Sequence, residues 1–156
     1  MLAYILKIVF IINNIYLILM GNKNCPFCKI KETDKNRILY EDELIIIFKD
    51  RSPVADIHLQ CIPKVHIKNK NYLTKNELNL LNHMYTKTKE FLELNYKNNL
   101  INNNPILGFH KPPFYSVNHL HMHCIIPPYT NNIMKIFNSC ILKDFNDVIK
   151  EIEEKE

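Results

Sequence analysis

The chain has 156 residues, 47% of them hydrophobic, which suits one domain with a proper core. A net charge of +4 and a pI near 8.7 permit contact with phosphate, but Arg37 and Arg51 are the only arginines, which argues against a large arginine-based phosphate grip or a dedicated duplex-binding face. Five cysteines, an odd number, argue against a complete disulfide framework.

The chain opens with an apolar segment, 1–21, interrupted by Lys7, Asn13 and Asn14. Three readings compete: a signal peptide, a membrane anchor, or a start of translation at Met20, the last being preferred. A start at Met20 implies a cytoplasmic or nuclear protein, and retention of the segment an N-terminally membrane-associated one. Met20-Gly21 also opens a weak myristoylation-like sequence, with Cys25 where Ser or Thr is usual. The domain is placed at 22–130 and a C-terminal helical extension at 131–156.

Within the domain, Cys25 and Cys28 form C-P-F-C, a spacing for a metal pair or a reduced dithiol. Ile38–Phe48 reads as a hairpin turning at Glu41-Asp42-Glu43, and Ile57–Ile62 as the next strand, ended by Pro63. Thr74-Lys75-Asn76-Glu77 fits a capping box. Leu78, Leu81, Tyr85, Thr88 and Leu92 then recur at helical spacing, so one face of a long helix packs on a sheet. Ile106–Phe109 and Val117–Ile126 read as strands separated by Lys111-Pro112-Pro113, and Pro127-Pro128 is expected to end the second. Cys61 and Cys124 lie in apolar runs and read as small core residues. Asn132–Glu153 reads as one amphipathic helix with a stripe from Ile133 to Ile149, packed on the domain or on a partner. Strands and helices mix without strict alternation, which predicts an α+β domain with an antiparallel sheet.

The chemistry concentrates in His119-Leu120-His121-Met122-His123. On a strand, alternate side chains share a face, so three imidazoles line up while Leu120, Met122 and Cys124 point into the core. Three core-facing imidazoles with no function would each need a hydrogen-bond partner, which is costly. The row suits two chemistries: a three-histidine metal site that activates water, or a nucleophilic imidazole whose neighbours hold a phosphate and supply protons. The row alone does not choose between them.

A second segment, Asp50 to His66, carries D-x-S-P followed by H-x-x-x-I-P-K-x-H. After the long helix comes S-x-x-H-x-H-x-H, from Ser116 to His123. Jointly these patterns resemble the histidine-triad (HIT) superfamily in its Hint branch. The stretch Gly108-Phe109-His110-Lys111-Pro112-Pro113 resembles the third Hint type and aprataxin-like proteins. The resemblance runs from about Cys25 to Pro128, and it implies the HIT fold and a homodimer formed through the long helix and a sheet edge.

The implied activity is cleavage of purine nucleoside 5′-phosphoramidates or adenylylated compounds through a nucleotidyl-histidine. The resemblance makes His121 the nucleophile, His123 a donor to the phosphate oxygens and His58 the residue that sets the nucleophile's tautomer. Ser116 contacts the phosphate or leaving group, and Asp50 accepts from the ribose. The Asn that touches phosphate in the common Hint proteins has no match here, and His110 is the candidate substitute. Cys25, Cys28, His66 and His119 are the implied ligands of a possible structural zinc, with no cofactor required for the chemistry. Three rivals stay open: a hydrolase with His119, His121 and His123 on one metal, a non-catalytic purine-nucleotide binder, and an aprataxin-like DNA-repair enzyme. The last is ranked lowest because the basic surplus is weak, and no strong nucleic-acid binding is expected.

Overall fold

The computed structural model describes residues 24–114, 116–130 and 140–155. The apolar segment 1–21 and residues 132–139 of the expected C-terminal helix lie outside them. No helix among the described residues is long and apolar enough to cross a membrane.

A short helix, α1 (Ile30–Thr33), and a 3-10 turn (Lys35–Arg37) lead into a hairpin of β1 (Ile38–Glu41) and β2 (Ile45–Lys49). The turn between them is built by Asp42. Its Oδ1 accepts from Leu44 N at 2.8 Å and Ile45 N at 2.9 Å, the local bonding that suits Asp to turns. β3 (Ala55–Pro63) is followed by the capping box at Thr74, which is present as expected, with the Thr74 amide donating to Glu77 Oε2 at 2.7 Å. The helix it starts, α2 (Leu78–Asn95), buries Leu81, Met84, Thr88 and Leu92 on one face. After α3 (Lys97–Leu100) come β4 (Ile106–His110) and β5 (Met122–Tyr129). The chain finishes with β6 (Leu142–Asp144) and α4 (Phe145–Glu153).

The six strands form one antiparallel sheet in the order β1-β2-β3-β5-β4-β6. Alternation along the central strands separates its two faces. Ile57, Leu59 and Cys61 of β3 and Met122, Cys124 and Ile126 of β5 join α2 and α4 in the main core. His58, Gln60 and His123 take the opposite face. That face also carries two small apolar clusters, one of Ile30, Ile46, Phe48 and Ile62 and one of Ala55, Ile125, Ile141 and Leu142.

Three boundaries differ from expectation. The last strand begins at Met122 rather than Val117, because residues 116–119 bend instead of pairing. It also runs through Pro127-Pro128 to Tyr129. The register slips between Ala55 and Ile57, so the two prolines oppose one residue and their missing N–H groups cost the ladder little. The C-terminal stretch is not one helix. Leu142–Asp144 is a strand on the edge of β4, and α4 starts afresh where Asp144 Oδ1 accepts from Asn146 N at 2.8 Å. Phe145, Val148 and Ile152 then enter the main core.

Gly108 is what lets β6 lie so close. A Cβ there would stand 2.5 Å from the Lys143 carbonyl oxygen.

Candidate active site

β3 and β5 deliver the site. Gln60 is the register partner of His123, and His58 sits two residues before Gln60 on the same face. The carboxylate of Asp50, just past β2, reaches under them. Its Oδ1 accepts from Ser52 N at 2.7 Å and its Oδ2 from Gln60 Nε2. The same Oδ2 lies 3.4 Å from His58 Nε2 and 3.8 Å from His123 Nδ1.

Hydrogen bonding fixes the proton on each neutral ring. The Val54 amide donates to His58 Nδ1 at 3.2 Å, so His58 carries its proton on Nε2. That proton is donated to His123 Nδ1 at 2.7 Å, which leaves the His123 proton on Nε2. His123 Nε2 is buried with no partner among the described residues, a donor waiting for an acceptor. His121 donates from Nδ1 to the His119 carbonyl at 2.6 Å, so its lone pair is on Nε2. A free imidazole lone pair beside an unused N–H is the arrangement that nucleophilic attack on an anionic phosphorus centre needs.

Burial keeps these rings neutral. Desolvation lowers His121 to about 4, partly opposed by its bond to the His119 carbonyl. Desolvation also pushes His123 well below its ordinary value, helped by the neighbouring imidazoles. His58 is lowered by desolvation against the pull of Asp50, and His110 by desolvation against its hydrogen bond to the Phe114 carbonyl. A neutral His121 near pH 7 keeps its nucleophilic lone pair.

The rings line a cavity of about 560 Å³, within the usual size for small-molecule sites. Pro26, Phe27 and Ile30 form an apolar wall, and Phe27 stands edge-on to His121 with ring centroids 5.4 Å apart. Asp50, Ser116 and His110 also line the cavity. His110 stacks on His123 at 4.4 Å between centroids and 19° between planes. It therefore sits on its strand inside the cavity, against His123, and is not an outlying loop residue.

The first histidine of the row goes elsewhere. His119 donates from Nε2 to the Pro63 carbonyl at 2.9 Å and turns Nδ1 towards Cys25, Cys28 and His66. The separations are 3.4 Å from Cys25 Sγ, 3.5 Å from Cys28 Sγ and 3.3 Å from His66 Nδ1. Cys28 Sγ to His66 Nδ1 is 3.3 Å. A tetrahedral zinc bound at the usual Zn–N and Zn–S lengths sets its ligand atoms roughly 3.3–3.8 Å apart, so this donor set fits one. With Nδ1 so turned, His119 cannot share a metal with His121 and His123.

The sequence-expected residues therefore gather in two adjacent groups: Asp50, His58, His110, Ser116, His121 and His123 on the cavity, and Cys25, Cys28, His66 and His119 beside it. Sequence reasoning missed Gln60, Phe27 and the trio Asp34, Arg37 and Arg51 at the cavity's rim. Gln60 had a signal, since it sits two residues from His58 on the same strand face. In the rim trio Asp34 and Arg37 stand three residues apart and form a local pair, whereas Arg51 joins them only through tertiary structure.

A six-stranded antiparallel sheet presenting paired histidines to a cavity of nucleotide size defines a class, and the chain belongs to the histidine-triad superfamily. The family profile described as scavenger mRNA decapping enzyme C-term binding matches residues 24–137. The chain is 37% identical over 111 residues to the bifunctional adenosine 5′-phosphosulfate phosphorylase/adenylylsulfatase HINT4 of Arabidopsis thaliana, covering 69% of this chain and 73% of that protein. It is 36% identical over 107 residues to the adenosine 5′-monophosphoramidase HINT3 of Xenopus tropicalis, covering 67% and 68%. Among solved structures it is similar to a HIT family hydrolase from Clostridium thermocellum, at 27% identity and a TM-score of 0.58 over 70% of this chain and 96% of that one.

Proposed function

We propose that the protein is a nucleoside phosphoramidase or adenylate hydrolase acting on adenosine 5′-phosphoramidates or related adenylylated compounds. The observation that carries this is the pairing of a lone pair on His121 Nε2 with an unpartnered N–H on His123 Nε2. His121 Nε2 attacks the α-phosphorus, a P–N bond to the imidazole forms, and the bond to the leaving group breaks as that group takes up a proton from solvent, which the attacking water returns in the second step. Water then attacks the same phosphorus, the P–Nε2 bond breaks, and AMP leaves with His121 restored. His123 donates to a phosphate oxygen. His58, bonded to His123 and not to the nucleophile as the resemblance implied, holds His123 in the donating tautomer, and Asp50 accepts from the ribose hydroxyls. Ser116 and His110 contact the phosphate or the leaving group.

Cys25, Cys28, His66 and His119 are proposed as a structural zinc site, supported by the tetrahedral spacing of their donor atoms. Zinc would brace the loop bearing Phe27 and the carbonyl of His119, and the reaction itself runs on imidazoles. The proposal includes a homodimer, whose support is the family resemblance. Light scattering on the 18.6 kDa chain reads it directly.

The competing metal hydrolase would need His110, His121 and His123, whose nitrogens lie within 4.8 Å of one another. The near-parallel stacking of His110 on His123 keeps their in-plane lone pairs from converging on one ion. The deciding experiment is hydrolysis of adenosine 5′-phosphoramidate by wild type and His121→Asn, each with and without EDTA. Covalent histidine chemistry predicts a loss of about a thousandfold or more in the variant and no immediate effect of EDTA. Immediate loss with EDTA supports the metal hydrolase instead. Tight AMP binding with no turnover of any adenylate supports a nucleotide-binding protein.

A further inference from the structure

Arg37 and Arg51, on either side of the β1–β2 hairpin in sequence, meet on one carboxylate at the cavity's rim. Arg37 Nη2 donates to Asp34 Oδ2 at 2.6 Å and Arg51 Nη2 donates to the same oxygen at 2.7 Å. Arg37 is itself fixed, with Nη1 donating to the Lys49 carbonyl at 2.8 Å and the guanidinium 5.4 Å from the Phe48 ring centre. Asp34 lines the cavity with its side chain 24% exposed, and both arginine bonds go to Oδ2, which leaves Oδ1 out of them. Arg51 is 78% exposed and keeps donors free beyond its bond to Asp34. The rim therefore presents a fixed acceptor next to a donor.

Its position relative to the nucleophile is also set. The apolar wall of Pro26, Phe27 and Ile30 begins beside His121. A nucleotide with its phosphorus at His121 would lay its flat base on that wall, as aromatic faces favour. Asp34 lies one turn beyond Ile30, its amide donating to the Ile30 carbonyl at 2.9 Å, so the edge of such a base meets the trio.

We propose that Asp34, held by Arg37 and Arg51, selects the base: Oδ1 accepts from the 6-amino group of adenine while Arg51 donates to the adjacent ring nitrogen. Adenine presents a donor beside an acceptor on this edge, whereas a 6-oxopurine such as guanine or hypoxanthine presents two acceptors, one facing the carboxylate. The selection rests on the nucleotide-cleaving reading above and adds the residues that choose the substrate.

The test is calorimetric binding of AMP, IMP and purine riboside 5′-monophosphate, which lacks the amine, to the full chain as wild type, Asp34→Asn and Arg51→Ala. Wild type should bind AMP about tenfold more tightly than either analogue, as expected for one charge-assisted bond at a partly exposed rim. Asp34→Asn should bring the AMP to IMP ratio close to one, because an amide can donate to the 6-oxo group. Arg51→Ala should shrink the ratio by a smaller factor. Equal wild-type affinities for all three nucleotides overturn the proposal, and so does an unchanged ratio in Asp34→Asn. The wild-type comparison decides even where a variant fails to fold. Phosphoramidate turnover in the same preparation separates the outcomes: its absence counts against the enzymatic reading, while the binding ratios still decide the base reader.

Discussion

At the residue scale the site works by fixing protons before substrate arrives. The Val54 amide points at His58 Nδ1, and this single bond determines the tautomer of His58 and through it that of His123. In the proposed reaction His58 is a positioning residue, acting through its bond to His123. His58→Ala leaves His123 Nδ1 buried without a donor, so the ring is free to move its proton to the wrong nitrogen. The expected result is a kcat lower by about tenfold to a hundredfold with little change in KM, as for the loss of one organised proton donor. His58→Gln, whose amide can still donate to His123 Nδ1, should recover part of the loss. A purely structural role would instead lower the amount of folded protein and leave the kcat of what remains unchanged. The histidines themselves were legible as a row in the sequence. Their division of labour came only with the family resemblance and not from the row itself, because it depends on where the His119 Nδ1 points, and that is decided by Cys25, Cys28 and the Pro63 carbonyl from distant parts of the chain.

At the element scale, local signals were legible and edge pairings were not. The capping box at Thr74 and the buried face of α2 follow from short-range periodicity, and both are present. β6 escaped because nothing within Leu142–Asp144 says strand; it is a strand because β4 offers an open edge. The Asp144 cap was a readable break in the expected helix, with a second acidic residue, Asp147, in the first turn. β6 matters to the site. Leu142 pairs with His110, Lys111 N donates to the Ile141 carbonyl at 2.7 Å, and Ile141 lines the cavity. Gly108→Ala tests this coupling. The new Cβ meets the Lys143 carbonyl oxygen and, at 3.1 Å, its carbon, so β6 must shift. The expected cost is about 1–3 kcal/mol, as for overpacking, read as a lower melting temperature. Activity should fall further than in Leu92→Ala, which opens a cavity in the main core on the other face of the sheet. Equal activity in the two variants would show that β6 does not hold the cavity.

At the scale of the whole molecule, the sheet has one dry face and one working face, and this division explains a pH dependence. The working face holds neutral imidazoles because desolvation lowers His58, His110 and His123 from 6.5. The unfolded chain binds protons on these rings at a higher pH than the folded chain does. Their contribution to stability is therefore complete above about pH 6.5 and is lost as pH falls from there towards the folded values. One such histidine gives a slope of up to about 1.4 kcal/mol per pH unit inside that window. Carboxylates act later. Glu41, Asp42 and Glu151 are held below their ordinary values and Asp34 at about 2, so their contribution begins to fail only as pH drops below the ordinary carboxylate range. Melting curves should thus show a loss of several degrees between pH 7 and pH 5.5, before these four carboxylates titrate. His110→Gln should flatten that part of the profile and leave the acid limb below pH 4.5 as it was. Saturating AMP should raise the melting temperature more at pH 5.5 than at pH 7, because a phosphate anion beside His123 favours its protonated form. A profile flat from pH 7 to pH 5.5 would mean that the folded protein binds protons on these rings as readily as the unfolded chain.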